Sequence, residues 1–175
     1  MSASRTYTGR MVDVLTPDPE AISPIDIAHA LSNLCRFTGH TRHFYSVAQH
    51  SVLVANLLPR ELRFMGLMHD AAEAYVTDMA TPLKNLLGNY RELEASVWKA
   101  ICIRFDLPLE LPPEVKHADL VALATEKRDL MPEHAEVWPS LVGISPSPRA
   151  VLPLMPEDAK FIWLESFDTL GGKIR

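Results

Sequence analysis

The stretch ELRFMGLMHDAAEAY, residues 61–75, decides how the rest of the chain is read. Leu62, Met65, Met68 and Ala72 recur at the spacing of one apolar helix face, so a helix is predicted from about Glu61 to Tyr75. His69 and Asp70 interrupt its apolar run between Met68 and Ala71. A carboxylate among core residues costs several kcal/mol unless it is paired, protonated or bound to a metal. Adjacent helical residues point about 100° apart, so His69 and Asp70 reach one ion only if it lies between their two directions. Glu73, one turn on, would project beside that ion.

Further ligands have to come from other helices, as in bundles that build metal sites from inward-facing His and carboxylate groups. Residues 46–58 form a second predicted helix, with Val47, Val54 and Leu58 on one side and Pro59 as its stop, and it carries His50. Asp119 lies beside core residues in a helix expected to open at Pro113 and run to about Leu130. His117 is its nearest rival as a ligand, but residues two apart on a helix point about 200° apart and rarely face one ion. Two imidazoles and two carboxylates make a mixed nitrogen and oxygen set suited to Mn, Fe, Co or Zn.

The remaining elements read as scaffold. Ser23-Pro24-Ile25-Asp26 looks like a helix start, with Ser23 as N-cap, Pro24 in the first turn and Asp26 reaching back as in a capping box. That helix should continue through Ile27, Leu31 and Leu34 toward Cys35. Tyr90 to Phe105, after a turn at Gly88-Asn89, carries the apolar stripe Leu93, Val97, Ala100 and Ile101 and looks purely structural. The Pro- and Ser-rich stretch 139–156 is expected to be an ordered surface loop before a last helix through Phe161, Ile162, Leu164 and Phe167. A short strand pair is expected in the first 20 residues. Tyr75, Trp98, Trp138 and Trp163 are read as packing residues.

Seven glycines in 175 residues are too few for a many-turned β protein, so the chain is predicted to be all-α, one domain over residues 1–175. Its 47% hydrophobic content can fill a sizeable core. A net charge of −5 with scattered lysines and arginines argues against a duplex nucleic-acid surface, though a few local cations can still hold a small anion. Cys35 and Cys102 offer neither a disulfide framework nor a paired metal motif. The apolar runs fall far short of the roughly 20 residues that span a bilayer, and no apolar signal core is seen, so a cytoplasmic protein without a membrane partner is expected.

The order His50, His69-Asp70, Asp119 resembles the H…HD…D signature of HD-domain metal-dependent phosphohydrolases. Residues 46–51 (SVAQHS), 69–78 (HDAAEAYVTD) and 81–84 (TPLK) are similar to the corresponding segments of bacterial 5′-deoxynucleotidases and of phage-encoded deoxynucleoside triphosphate (dATP) triphosphohydrolases. The resemblance covers roughly residues 23–130. It implies an HD-domain helical bundle in which His50, His69, Asp70 and Asp119 hold a divalent metal ion, Mn, Co, Zn or Fe. That ion would polarise a phosphoryl oxygen and lower the pKa of a bound water. Glu73 is then the general acid/base, Asp78 faces the sugar or the attacking water, and Arg36 and Lys84 hold phosphate oxygens. Phe37 and His43 join the implied substrate contacts, although Arg36-Phe37 stands where the 5′-deoxynucleotidases usually carry Arg-Trp, followed by the His40 and His43 pair.

The implied reaction is cleavage at the phosphate end of a 5′-(deoxy)nucleotide. Monophosphate and triphosphate substrates both stay open, with an additional Mg ion for triphosphates, and the relatives suggest a homo-oligomer, dimer or larger. An HD-type phosphodiesterase or signalling-nucleotide hydrolase is the alternative within enzymes. Outside enzymes, the alternative is a non-catalytic helical module that binds a nucleotide around an inert metal.

Overall fold

A computed structural model describes residues 2–133, 135–136 and 138–173 of the chain. Two short antiparallel strands, β1 (Ala3–Arg5) and β2 (Met11–Asp13), pair with Ser4 opposite Val12. The α-helices are α1 (Pro24–Asn33), α2 (Val47–Asn56), α3 (Arg63–Met68), α4 (Glu73–Val76), α5 (Thr81–Lys84), α6 (Tyr90–Phe105), α7 (Pro113–Leu130) and α8 (Pro156–Thr169). The fold is mostly α with a short N-terminal hairpin. Among the described residues no helix is long and apolar enough to cross a membrane.

Helix α2 is the hub, packed against α1, α3, α7 and α8. Ser46 starts it, its Oγ accepting the Gln49 N–H at 3.2 Å. Val47, Ala48, Val54 and Ala55 fill the core around it, and His50 and Ser51 are buried with them. Helix α8 closes the core with Trp163 and Phe167, fully buried and stacked at 5.4 Å between centroids. Losing either ring would cost about 3–5 kcal/mol. Gly66 lets α3 come close to α2, because a Cβ there would collide with Leu58 and lie 3.2 Å from the Ala55 Cα.

Two local expectations are corrected. The helix predicted over 61–75 is broken at the His-Asp pair: α3 ends at Met68, and residues 69–72 wind more tightly before α4. There the Ala71 N–H donates to the Met68 carbonyl at 2.9 Å and the Glu73 N–H to the Asp70 carbonyl at 3.0 Å. Such three-residue bonds turn the chain about 120° per residue instead of 100°, which fans His69 and Asp70 further apart than a regular helix would. At the start of α1, Ser23 makes no side-chain cap, and Asp26 does not complete a capping box. Asp26 instead accepts the Thr8 N–H at 2.7 Å and the Thr8 hydroxyl at 2.8 Å, which pins the hairpin turn onto α1.

The stretch 139–156 is an ordered loop stitched to the hub. Gln49 donates its amide to the Leu152 carbonyl at 2.7 Å and accepts the Leu154 N–H at 2.9 Å. On α7, Thr125 Oγ1 accepts the Ser147 N–H at 2.9 Å and Asp129 accepts the Val151 N–H at 2.8 Å.

Candidate functional site

His50 comes from α2, His69 and Asp70 from the tight turn after α3, and Asp119 from α7, and their ligating atoms converge. His50 Nε2 lies 3.3 Å from His69 Nε2, 3.5 Å from Asp70 Oδ2 and 3.1 Å from Asp119 Oδ1. His69 Nε2 lies 3.2 Å from Asp70 Oδ2 and 3.9 Å from Asp119 Oδ1. Ligands at about 2.0–2.2 Å from one ion stand about 3–4 Å from one another, which is the spacing found.

The other ring nitrogens fix the proton positions. His50 Nδ1 is 2.6 Å from Glu126 Oε1, and His69 Nδ1 is 2.8 Å from the Gly66 carbonyl. Both acceptors require N–H on Nδ1, an assignment made from partners, so the neutral rings aim lone pairs at the carboxylates. Four acceptors facing one point repel unless a cation or a proton sits among them. The residues present therefore fit a divalent ion, and His50, His69 and Asp119 form a group able to hold one.

Without an ion, the proton takes that place. Burial and Arg36 both oppose charge on His50, yet Glu126 and Asp119 outweigh them and push its pKa up to about 10. Burial would raise Asp70, but His69, His50 and Arg36 hold it well below the usual carboxylate range. Asp119 and Glu126 are also held down, against burial, by His50 on the first and by Arg36 and His50 on the second.

Beside the cluster opens a cleft of about 1180 Å³, ample for a nucleotide. Asp70 and Asp119 line it, as do Glu73 and Asp78. Arg36, Phe37 and Lys84 line the same cleft. Arg36 is held by its N–H donating to the Tyr45 carbonyl at 2.9 Å, beside a bridge between Cys35 and Ser46. Its guanidinium reaches Asp70 at 3.6 Å and Glu126 at 3.3 Å. Burial first, then the carboxylates of Asp70 and Asp78, push Glu73 up to about 10 against the pull of Lys84 and Arg36. Burial likewise raises Asp78. Glu73 therefore keeps a proton at neutral pH, the form a general acid needs.

Of the four non-glycine residues with positive φ among the described residues, three lie at or beside the cleft and the fourth, Asp106, caps the C-terminus of α6. Phe37 (φ +54°) and Thr38 (φ +52°) turn the segment after Arg36, and Thr77 (φ +73°) precedes Asp78. Each costs about 1–2 kcal/mol and persists where the surrounding fold over-determines it.

Some sequence-based expectations shift. His43 is exposed and does not line the cleft, whereas His40 does. Helix α6 is more than scaffold, because its Glu94 pairs with Lys84 at 2.7 Å while Glu73 stands 3.6 Å from the same ammonium. Trp98 and Trp163 pack as expected, but Trp138 lines the cleft. Glu126, which the sequence reading passed over, is wholly buried and touches both His50 and Arg36. Its signal was its place seven residues after Asp119, two turns along one face of α7.

Over 174 residues the chain is 44% identical to the uncharacterized protein YfdR of Escherichia coli, which covers 98% of this chain and 97% of that one. It is 40% identical over 124 residues to an uncharacterized protein of Rhodobacter capsulatus, 65% of this chain and 63% of that one. No family model matches the chain.

Proposed function

We propose that this chain, which belongs to the family of YfdR, is a metal-dependent phosphohydrolase that cleaves a small 5′-nucleotide at its phosphate end. The observation that carries the reading is the convergence of four acceptor atoms, from His50, His69, Asp70 and Asp119, beside the buried Glu73 carboxyl and two cations in one cleft. A divalent ion among those four would supply Lewis acidity to a phosphoryl oxygen and to water.

The chain's own groups supply the rest. Arg36, buried and kept charged by Glu126 and Asp70, presents a rigid fork for phosphate oxygens. Lys84 offers a second cation, which a phosphate would have to share with Glu94 and Glu73. Glu73, carrying its proton, is placed to donate it to a departing oxygen, and Asp78 faces the same space. A purely structural ion would need its ligands but not a buried, protonated neighbour. That favours catalysis over an inert binding module.

The test is product analysis after incubating Mn-, Co-, Zn- or Fe-loaded protein with each deoxynucleoside mono- and triphosphate. Phosphate from monophosphates makes it a 5′-nucleotidase. Triphosphate release from the longer substrates makes it a triphosphohydrolase, with added Mg expected to help. Turnover of neither removes the reading.

A further inference from the structure

Part of the cleft wall is aromatic. Phe37 follows Arg36 in the chain, and Trp138 lies across from it on the loop between α7 and α8, with ring centroids 6.0 Å apart and planes inclined by 48°. Met79, Leu123 and Met131 line the same cleft. Trp138 belongs to none of the buried apolar clusters among the described residues, unlike Trp98 and Trp163, which pack against or within them.

The indole is held without being covered. Lys127 lies 5.0 Å over its ring and donates to the Glu136 carbonyl at 2.7 Å, so one side of the indole is clamped while Trp138 stays only partly buried. On the other flank, the strained left-handed backbone at Phe37 and Thr38 turns the chain just where the phenyl ring enters the cleft wall.

The polar and apolar features follow one another in a fixed order. Asp70 touches Arg36 at 3.6 Å, the Arg36 guanidinium carbon lies 5.3 Å from the centre of the Phe37 ring, and Phe37 meets Trp138. Carboxylate, guanidinium, phenyl and indole thus run in the order in which a nucleotide presents phosphate, sugar and base. From this we infer that Trp138, backed by Phe37, is the platform on which the substrate's heteroaromatic base stacks, and that it separates nucleotides from sugar phosphates. The inference rests on the phosphohydrolase reading for its orientation, with phosphate at Arg36.

The test reads binding, not turnover. Full-length Mn-loaded protein is titrated calorimetrically with non-cleavable methylene-phosphonate analogues of deoxyadenosine and thymidine monophosphate and of ribose 5-phosphate. Stacking of a base on an aromatic side chain predicts that Trp138→Ala weakens both nucleoside analogues about 10-fold, leaves the ribose analogue unchanged, and is largely rescued by Trp138→Phe. Equal weakening of all three, or of none, overturns the platform, as does failure of the wild type to bind the nucleoside analogues.

In case Trp138→Ala does not fold, the wild type carries its own readout. The indole N–H resonance missing from Trp138→Phe should shift with the nucleoside analogues and stay still with the ribose one, and the reverse pattern rejects the proposal. The two readings fail separately. Base-dependent binding without phosphate release keeps the platform and removes hydrolysis, whereas phosphate release with no Trp138 dependence keeps hydrolysis and removes the platform.

Discussion

Glu126 Oε1 stands 2.6 Å from His50 Nδ1, with both side chains closed off from solvent. A carboxylate behind a ligating imidazole fixes its tautomer and orientation and raises its basicity. Glu126→Gln is therefore expected to lower divalent-metal affinity by about 10- to 100-fold, read by equilibrium dialysis against Mn and Zn. Unaltered affinity would show that Glu126 serves packing alone.

Metal binding should stabilise the folded chain. Free ion at about 100 times its dissociation constant adds about 2.7 kcal/mol, or about 5–10 °C in Tm for a domain of this size. Asp119 is the most exposed of the four, so Asp119→Asn should keep the fold yet lose most of that rise. A variant whose Tm climbs as far as the wild type's would remove Asp119 from the ligand set.

His50 is raised to about 10, so at neutral pH the metal-free protein holds an imidazolium that an ion must discharge. Below that value each step up in pH removes competing protons, and apparent metal affinity should rise by close to tenfold per pH unit. Calorimetry in buffers of different ionisation heat should find about one proton released per ion near pH 7.5. No release would mean that His50 is already neutral.

Glu73 supports a stability prediction of opposite sense. Its carboxyl titrates near 10 in the folded chain and near 4.5 when unfolded. Between those values the unfolded chain has lost a proton that the folded chain keeps, so rising pH favours unfolding. Glu73→Gln should raise the Tm of metal-free protein at about pH 8, by about 2–4 °C for each kcal/mol recovered, while abolishing phosphate release. A variant whose Tm falls with pH as steeply as the wild type's would contradict the shift.

Gly66 serves twice, letting α3 approach α2 and offering its carbonyl to His69. Gly66→Ala should cost about 1–3 kcal/mol through the clash with Leu58 and weaken metal binding with it. Denaturant unfolding and metal titration on one preparation would read both, and loss of neither would show that α2 and α3 have room to move apart.

Much of this was legible beforehand. The bounds of α6 and α7 were readable because Asn89, Pro113 and Pro132 are local punctuation, and His50, His69, Asp70 and Asp119 stood out as polar residues in apolar runs. The break after Met68 was hidden, since the apolar repeat continues unbroken to Ala72 while the backbone tightens beneath it. Glu126 was hidden for another reason. It sits in a charged run, Glu126-Lys127-Arg128-Asp129, that looks solvated, and its partner His50 lies 76 positions away. Trp138 lies just ahead of a short turn with no periodicity to reveal which way it faces.

The stitches that tie residues 147–154 to Gln49 and to α7 have a bearing on how the protein is made. Gln49 adjoins His50, and Thr125 adjoins Glu126, so the loop braces the two helices at the level of the acceptor cluster. Helix α8 comes later still, and its Trp163 and Phe167 complete the core around α2. In order of synthesis, His50, His69, Asp70 and Asp119 precede the loop and the helix that brace α2 and α7. Parts of the chain made after all four of those residues thus brace the helices that bring them together.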